Sequence, residues 1–170
     1  VVAMDFVPPG EHAIRIFEVS NGALLASTSE RMSRGAVFVD DGSSIVYLRQ
    51  LETPGVALEK LPWQSPSDIP EDLGTSPLSV RSLARSRSGQ LLAITGSDVE
   101  VFSLTEDRTI RFIQGNGEVE DLVACFSYDE RSIYIAQLEE GQLVQQDLRS
   151  GEELARWPIA PDNGGSLSVS

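Results

Sequence analysis

At 170 residues, with a formal net charge of −13 and an isoelectric point near 4.4, the chain holds enough material for one well-buried domain or part of a larger one. That acidity argues against nucleic-acid and anionic-membrane partners and favours a protein or peptide that brings positive charge. A hydrophobic share of 41% with no long apolar run predicts a soluble protein without a membrane span. Cys125 is the single cysteine, so no internal disulfide forms, and with only His12 beside it no Cys/His metal cluster can be assembled. Val1 to Phe6 lack a basic leader and read as structure, which sets a cytoplasmic location as the expectation, although a removed leader would leave no trace.

Taken in chain order, alternation of apolar and polar residues predicts strands almost throughout. Val1 to Phe6, Ala13 to Val19 and Ala23 to Thr28 form the first group, the last two joined by a turn at Asn21-Gly22. The segment AVFVDDGSSIVYL from Ala36 reads as a hairpin turning at Asp41-Gly42, and Gly55 to Pro62, GVALEKLP, supplies a further strand. Gln64 to Pro77 is rich in proline, so an irregular loop, or an edge with a short strand, is expected there. SLARSRSGQLLAI from Ser82 turns at Ser88-Gly89, and Asp98 to Thr105, DVEVFSLT, runs to Glu106-Asp107. ACFSYDERSIYIA from Ala124 turns at Asp129-Glu130, QLVQQDLRSG follows with Ser150-Gly151, and Leu167 to Ser170 begins another strand. The Gly115-Asn116-Gly117-Glu118 stretch lacks the Lys and helix of a phosphate loop and reads as a turn between units.

These segments recur about every 42 to 46 residues, which is the length of one β-propeller blade. The predicted fold is therefore all-β: blades of four antiparallel strands, about three of them complete, with partial blades at both ends. A single propeller domain over 1–170, or an excised part of a larger one, divides into a partial blade at 1–30, blades at 34–77, 78–117 and 119–161, and the start of another at 166–170. Alternation places Ile14, Ile16, Val56, Leu58, Val99, Val101 and Leu143 on one face of successive strands. Two explanations of the ends stay open: a cut from a longer ring, or a terminal strand that joins the N-terminal strands to complete a fourth blade.

IRIFEVSNG at Ile14 to Gly22 resembles the third strand and turn of a WD repeat, with Phe17-Glu18 where Trp-Asp usually stands. Val144 to Gly151 keeps the Asp as Asp147 but has Gln146 for the Trp. Phe38 to Gly42 and Phe126 to Glu130 are similar to the family's Phe-Ser-Pro-Asp-Gly hairpin, while its Gly-His pair is absent. The likeness implies degenerate repeats held by apolar packing and a rigid, non-catalytic scaffold for protein–protein interaction through rim loops and the top face. It needs no cofactor.

Chemistry-bearing residues are sparse. His12 beside Pro8-Pro9-Gly10 reads as a turn residue, no nucleophile elbow accompanies it, and Cys125 between Ala124 and Phe126 reads as a structural thiol. The acidic pairs Asp40-Asp41, Glu139-Glu140 and Glu152-Glu153 fall in turns without calcium-loop spacing. Candidate partner contacts are Trp63, Asp68, Glu71 and Asp72 around the proline-rich segment, the basic run Arg81, Arg85 and Arg87, and Trp157. Alternation puts the three arginines on one side of the backbone, where they suit an acidic peptide or a phosphate. The competing readings are a calcium-dependent hydrolase, lactonase or ligand sensor with carboxylates facing a central channel, and a purely structural repeat inside a larger multidomain protein; in any of these the rest of a propeller is expected from further sequence or from another copy.

Overall fold

The alternating segments form strands in the computed structural model, which describes residues 2–6, 14–27, 32–64, 69–77, 80, 82–115 and 122–159. The expected strand at Leu167 to Ser170 lies outside that set. Strands β1 (Val2–Phe6), β2 (Ile14–Glu18) and β3 (Leu24–Ser27) make an antiparallel sheet in the order β1-β2-β3. The second sheet runs β4 (Met32–Val39), β5 (Ser44–Gln50), β6 (Val56–Pro62), β7 (Glu71–Ser76). The third is β8 (Ser82–Arg85), β9 (Leu91–Thr95), β10 (Val99–Ser103), β11 (Arg108–Ile113), and the fourth is β12 (Leu122–Phe126), β13 (Ser132–Gln137), β14 (Gln142–Asp147), β15 (Glu153–Pro158). All four are open meanders, each strand pairing antiparallel with the next in sequence. Helical geometry among the described residues is limited to the 3-10 turn Asp40–Gly42.

Turn chemistry explains the close succession of strands. The expected Asp and Gly pairs sit at the hairpin tips, where Asp41, Asp107 and Glu130 join Gly22, Gly89 and Gly151 at positive φ. At Gly151 the absence of a side chain matters twice, because φ is +79° and an added Cβ would meet the Arg111 guanidinium at 2.7 Å.

The proline-rich segment resolves into one of its two expected forms, an edge with a short strand. Pro70 and Pro77 flank β7 instead of interrupting it, so no ladder hydrogen bond is lost inside the strand. Each sheet also carries an extra residue between its last two strands, at Ile16/Phe17, Leu58/Glu59, Val101/Phe102 and Gln145/Gln146.

The chain divides into two compact units, Val1–Pro77 and Leu78–Ser170. In the first, Ile14, Ile16 and Ala26 of the N-terminal sheet form one core with Ile45, Tyr47 and Leu61 of the second, flanked by Ala36, Phe38 and Trp63. In the second, Ala93, Val99 and Val101 of the third sheet form a core with Leu122, Ala124, Phe126, Ile133 and Ile135 of the fourth. Full burial of an Ile or Val contributes about 1.5–3 kcal/mol, so these inter-sheet layers are what hold small sheets together.

Candidate partner-binding surface

Trp63 follows β6 in the first unit, and its indole N–H donates to the Gly42 carbonyl at 2.5 Å while the ring packs on the core. It is therefore built into the hairpin it touches, and its indole donor is already satisfied. Glu71 and Asp72 open β7 and are exposed; Glu71 pairs across the ladder with Lys60, and Asp72 accepts from the Gly74 N–H at 2.8 Å. Lys60 bonds Asp40 at 2.7 Å, and Arg49 bonds the buried Glu59 at 2.6 Å. Asp68 lies outside the described residues.

In the second unit, β8 ends at Arg85, and Arg87 stands in the following turn beyond buried Ser86. Strand alternation therefore stops fixing side-chain direction before Arg87, and the shared side expected for the arginines does not follow from the strand. Arg81 lies outside the described residues. Arg87 instead lays its guanidinium over the Tyr128 ring, 3.8 Å from its centroid. Beside it, Glu130 accepts from the Ser88 backbone N–H and, at 2.9 Å, from the Ser88 hydroxyl. The β8–β9 turn and the β12–β13 turn are thus clasped together by side chains 42 positions apart, one repeat length.

Electrostatics follow from those bonds. Burial works to raise the Glu130 carboxyl, but the Ser88 N–H and hydroxyl, with the Arg87 charge, outweigh it and hold the group below its ordinary range. Asp129 is lowered by the Ser127 hydroxyl and the Arg131 N–H, and its Oδ1 accepts from Ser127 at 2.7 Å. A second clasp joins the same two sheets, where Arg111 of β11 donates to the Leu148 carbonyl at 3.0 Å and to the Arg149 carbonyl. Asp147, in the same turn, is lowered chiefly by the Ser150 N–H.

No family model and no curated protein matches the chain. The geometry alone brings Arg87 and Tyr128 together, whereas Arg85 lies on β8 on the face opposite Ala84, which packs on the core shared with the fourth sheet. It does not bring Trp157 to them: Trp157 lies on edge strand β15 at the level of Leu143 and Ala136, whereas Tyr128 precedes the opposite end of β13. Trp157 stands 6.3 Å from the Tyr134 ring, tilted by 31°. Among the described residues no three His, Cys, Asp or Glu side chains gather as a metal-binding group, and no helix is long and apolar enough to cross a membrane.

Tyr128, Glu130 and Ser88 were not singled out by the sequence as surface elements. The one available signal was their spacing, because turn residues one repeat apart become neighbours once the sheets stack.

Proposed function

We propose that the sheets are blades of a WD-repeat-like β-propeller and that the chain is a non-catalytic scaffold that binds a protein or peptide through its rim turns. What supports the blade reading most is one contact made twice. In the first unit, Ile45 and Tyr47, two apart on β5, share a core with Ile14 and Ile16, two apart on β2 of the sheet before. In the second, Ile133 and Ile135 of β13 share a core with Val99 and Val101 of β10. The same face of the later sheet meets the same face of the earlier one, so the relation has a direction, as blade stacking requires.

The binding surface we favour is the clasped turn pair. Arg87 is exposed there over the exposed Tyr128 ring, and the Glu130 bonds to Ser88 fix the turns before any partner arrives. Such a surface suits a peptide that brings a carboxylate or phosphate to Arg87, while basic residues of the same partner meet the acidic remainder.

The test is saturable binding of a partner to the immobilised full chain, repeated with the Arg87→Glu variant. Charge reversal is expected to weaken binding about tenfold or more; because it also removes the stacking on Tyr128 and the positive charge beside Glu130, a modest fall in melting temperature is expected and circular dichroism checks that the variant stays folded. Absence of saturable binding, or binding indifferent to the reversal, refutes the surface. A melting temperature raised by calcium points instead to the channel-carboxylate reading.

A further inference from the structure

We infer that one end of the second unit, where Arg87, Arg131 and Arg149 stand without carboxylate partners, takes an extended peptide segment carrying several oxyanions. The inference rests on the clasped-turn surface proposed above and names its partner. In an antiparallel meander alternate turns fall at the same end of the sheet. The β8–β9 turn therefore marks one end of the third sheet, and the β12–β13 and β14–β15 turns share one end of the fourth. The Ser88–Glu130 bonds put these two ends side by side. Contacts continue along the fourth sheet, where the Leu148 N–H donates to the Arg131 carbonyl at 2.9 Å and the Arg111 guanidinium holds the Leu148 and Arg149 carbonyls. Arg87, Arg131 and Arg149 thus lie on three neighbouring turns tied one to the next by hydrogen bonds, and all three are exposed.

What leaves these cations open is where the nearby carboxylates bond. Glu130 accepts from Ser88, and Asp129 accepts from the Ser127 hydroxyl at 2.7 Å and the Arg131 N–H at 3.2 Å. Asp147 accepts from the Arg149 and Ser150 N–H groups at 2.8 and 2.6 Å. All three carboxylates are thus fixed on turn hydroxyls and backbone N–H groups. Arg108 and Arg156 are instead closed off by Glu106 at 2.5 Å and Glu153 at 2.7 Å. Among the described residues no ion pair engages Arg87, Arg131 or Arg149. Stacking on Tyr128 occupies the face of the Arg87 guanidinium and leaves its in-plane donors for an oxyanion.

The opposite end of the unit differs in kind. Its described turns, residues 96–98 and 138–141, contribute Asp98, Glu139 and Glu140 and no cation. In a chain of net charge −13, an anionic segment is turned away there and finds its donors only at the arginine end. Exposed Asp107 and Glu152 stand at that same end, so what is read is the placement of three cations and not bulk charge. A partner must bring its oxyanions in register with them.

Binding of short synthetic peptides to the full chain tests this, by fluorescence anisotropy at low salt. The probes are a peptide with regularly spaced glutamates, its phosphoserine counterpart and a glutamine control. At least one anionic peptide is expected to bind saturably, about tenfold or more tighter than the control, and to weaken as salt rises. The tighter of the two identifies the oxyanion. Arg131→Gln and Arg149→Gln are each expected to weaken binding about threefold, and together about tenfold. The bonds tying these turns use the backbone of both residues, so the side-chain changes leave them in place, and circular dichroism checks the fold. Either variant alone suffices if the other is unfolded. No saturable binding of the anionic peptides, binding equal to the control, or binding untouched in the double variant overturns the inference. So does a single-stranded oligonucleotide that binds more tightly than both peptides. Loss of binding in Arg87→Glu with full binding in the double variant removes only this extension and leaves the clasped-turn surface standing. Indifference to all three arginines removes both.

Discussion

Truncating Ile135 to Ala tests whether the third and fourth sheets are sealed by a shared apolar layer. Ile135 is 3% exposed and lies in the core that contains Val101. The substitution deletes the three carbons beyond Cβ, which at about 0.8 kcal/mol per buried carbon group gives about 2.4 kcal/mol before any cavity is counted. Partial relaxation around the void raises the expected cost to about 3 kcal/mol, inside the range of about 2–5 kcal/mol for buried Ile→Ala changes. Val101→Ala removes two methyl groups from the facing sheet and is expected to cost about 2 kcal/mol by the same reasoning. Since the two cavities merge, the double variant is expected to cost less than the sum by about 0.5 kcal/mol or more. Urea unfolding followed by Trp157 fluorescence, in a Trp63→Phe background shared by all four members of the cycle, measures this. An Ile135→Ala cost below about 1 kcal/mol, or additivity within about 0.3 kcal/mol, would refute sheet-on-sheet packing at that layer.

Two further outcomes follow from local geometry. Because the Glu130 carboxyl is lowered in the folded state, the native form binds fewer protons than the unfolded chain, so its contribution is present above the ordinary carboxylate range near 4.5 and is lost as pH falls through the lower folded value. Glu130→Gln is expected to cost about 1 kcal/mol at neutral pH after discounting for solvent screening, and to flatten the acid limb of stability against pH; an unchanged limb in urea titrations from neutral to acid counts against the clasp. Gly55 has φ +121° and an added Cβ would lie 2.6 Å from the Ser76 carbonyl oxygen, whereas Gly22 has φ +69° and open space. Gly55→Ala is expected to cost about 2 kcal/mol or more and Gly22→Ala about 1 kcal/mol in thermal melts, with equal costs showing that the close approach to Ser76 is not felt.

Strand alternation and turn chemistry made the four groups of strands legible, because apolar residues at every second position and Asp or Gly at the tips are local requirements. Ile14, Ile16, Val99 and Val101 fall where that pattern puts them, in the inter-sheet cores. Leu143 shows where the pattern stops informing: alternation assigns it the same face, but only a neighbouring sheet decides whether that face is sealed. At Gln64 to Pro77 proline content left an irregular loop and an edge with a short strand both open, and the short strand is the form found, fitting between Pro70 and Pro77. Arg87 misled for a related reason, since the two-residue period was carried past the end of a four-residue strand. Its stacking on Tyr128 depends on a turn 41 positions away and left no local mark.

The extra residue between the last two strands of every sheet bears on how such a chain avoids fibrils. An irregularity at that place increases local twist and throws the outermost strand out of line with its neighbour, so its free backbone groups offer a poor template for an incoming strand. The same irregularity beside the last strand of all four sheets makes each of those edges a poor template for zipper-like growth. Contacts between molecules are thereby steered toward side-chain surfaces, where shape and polarity discriminate among partners, and away from main-chain pairing, which discriminates hardly at all.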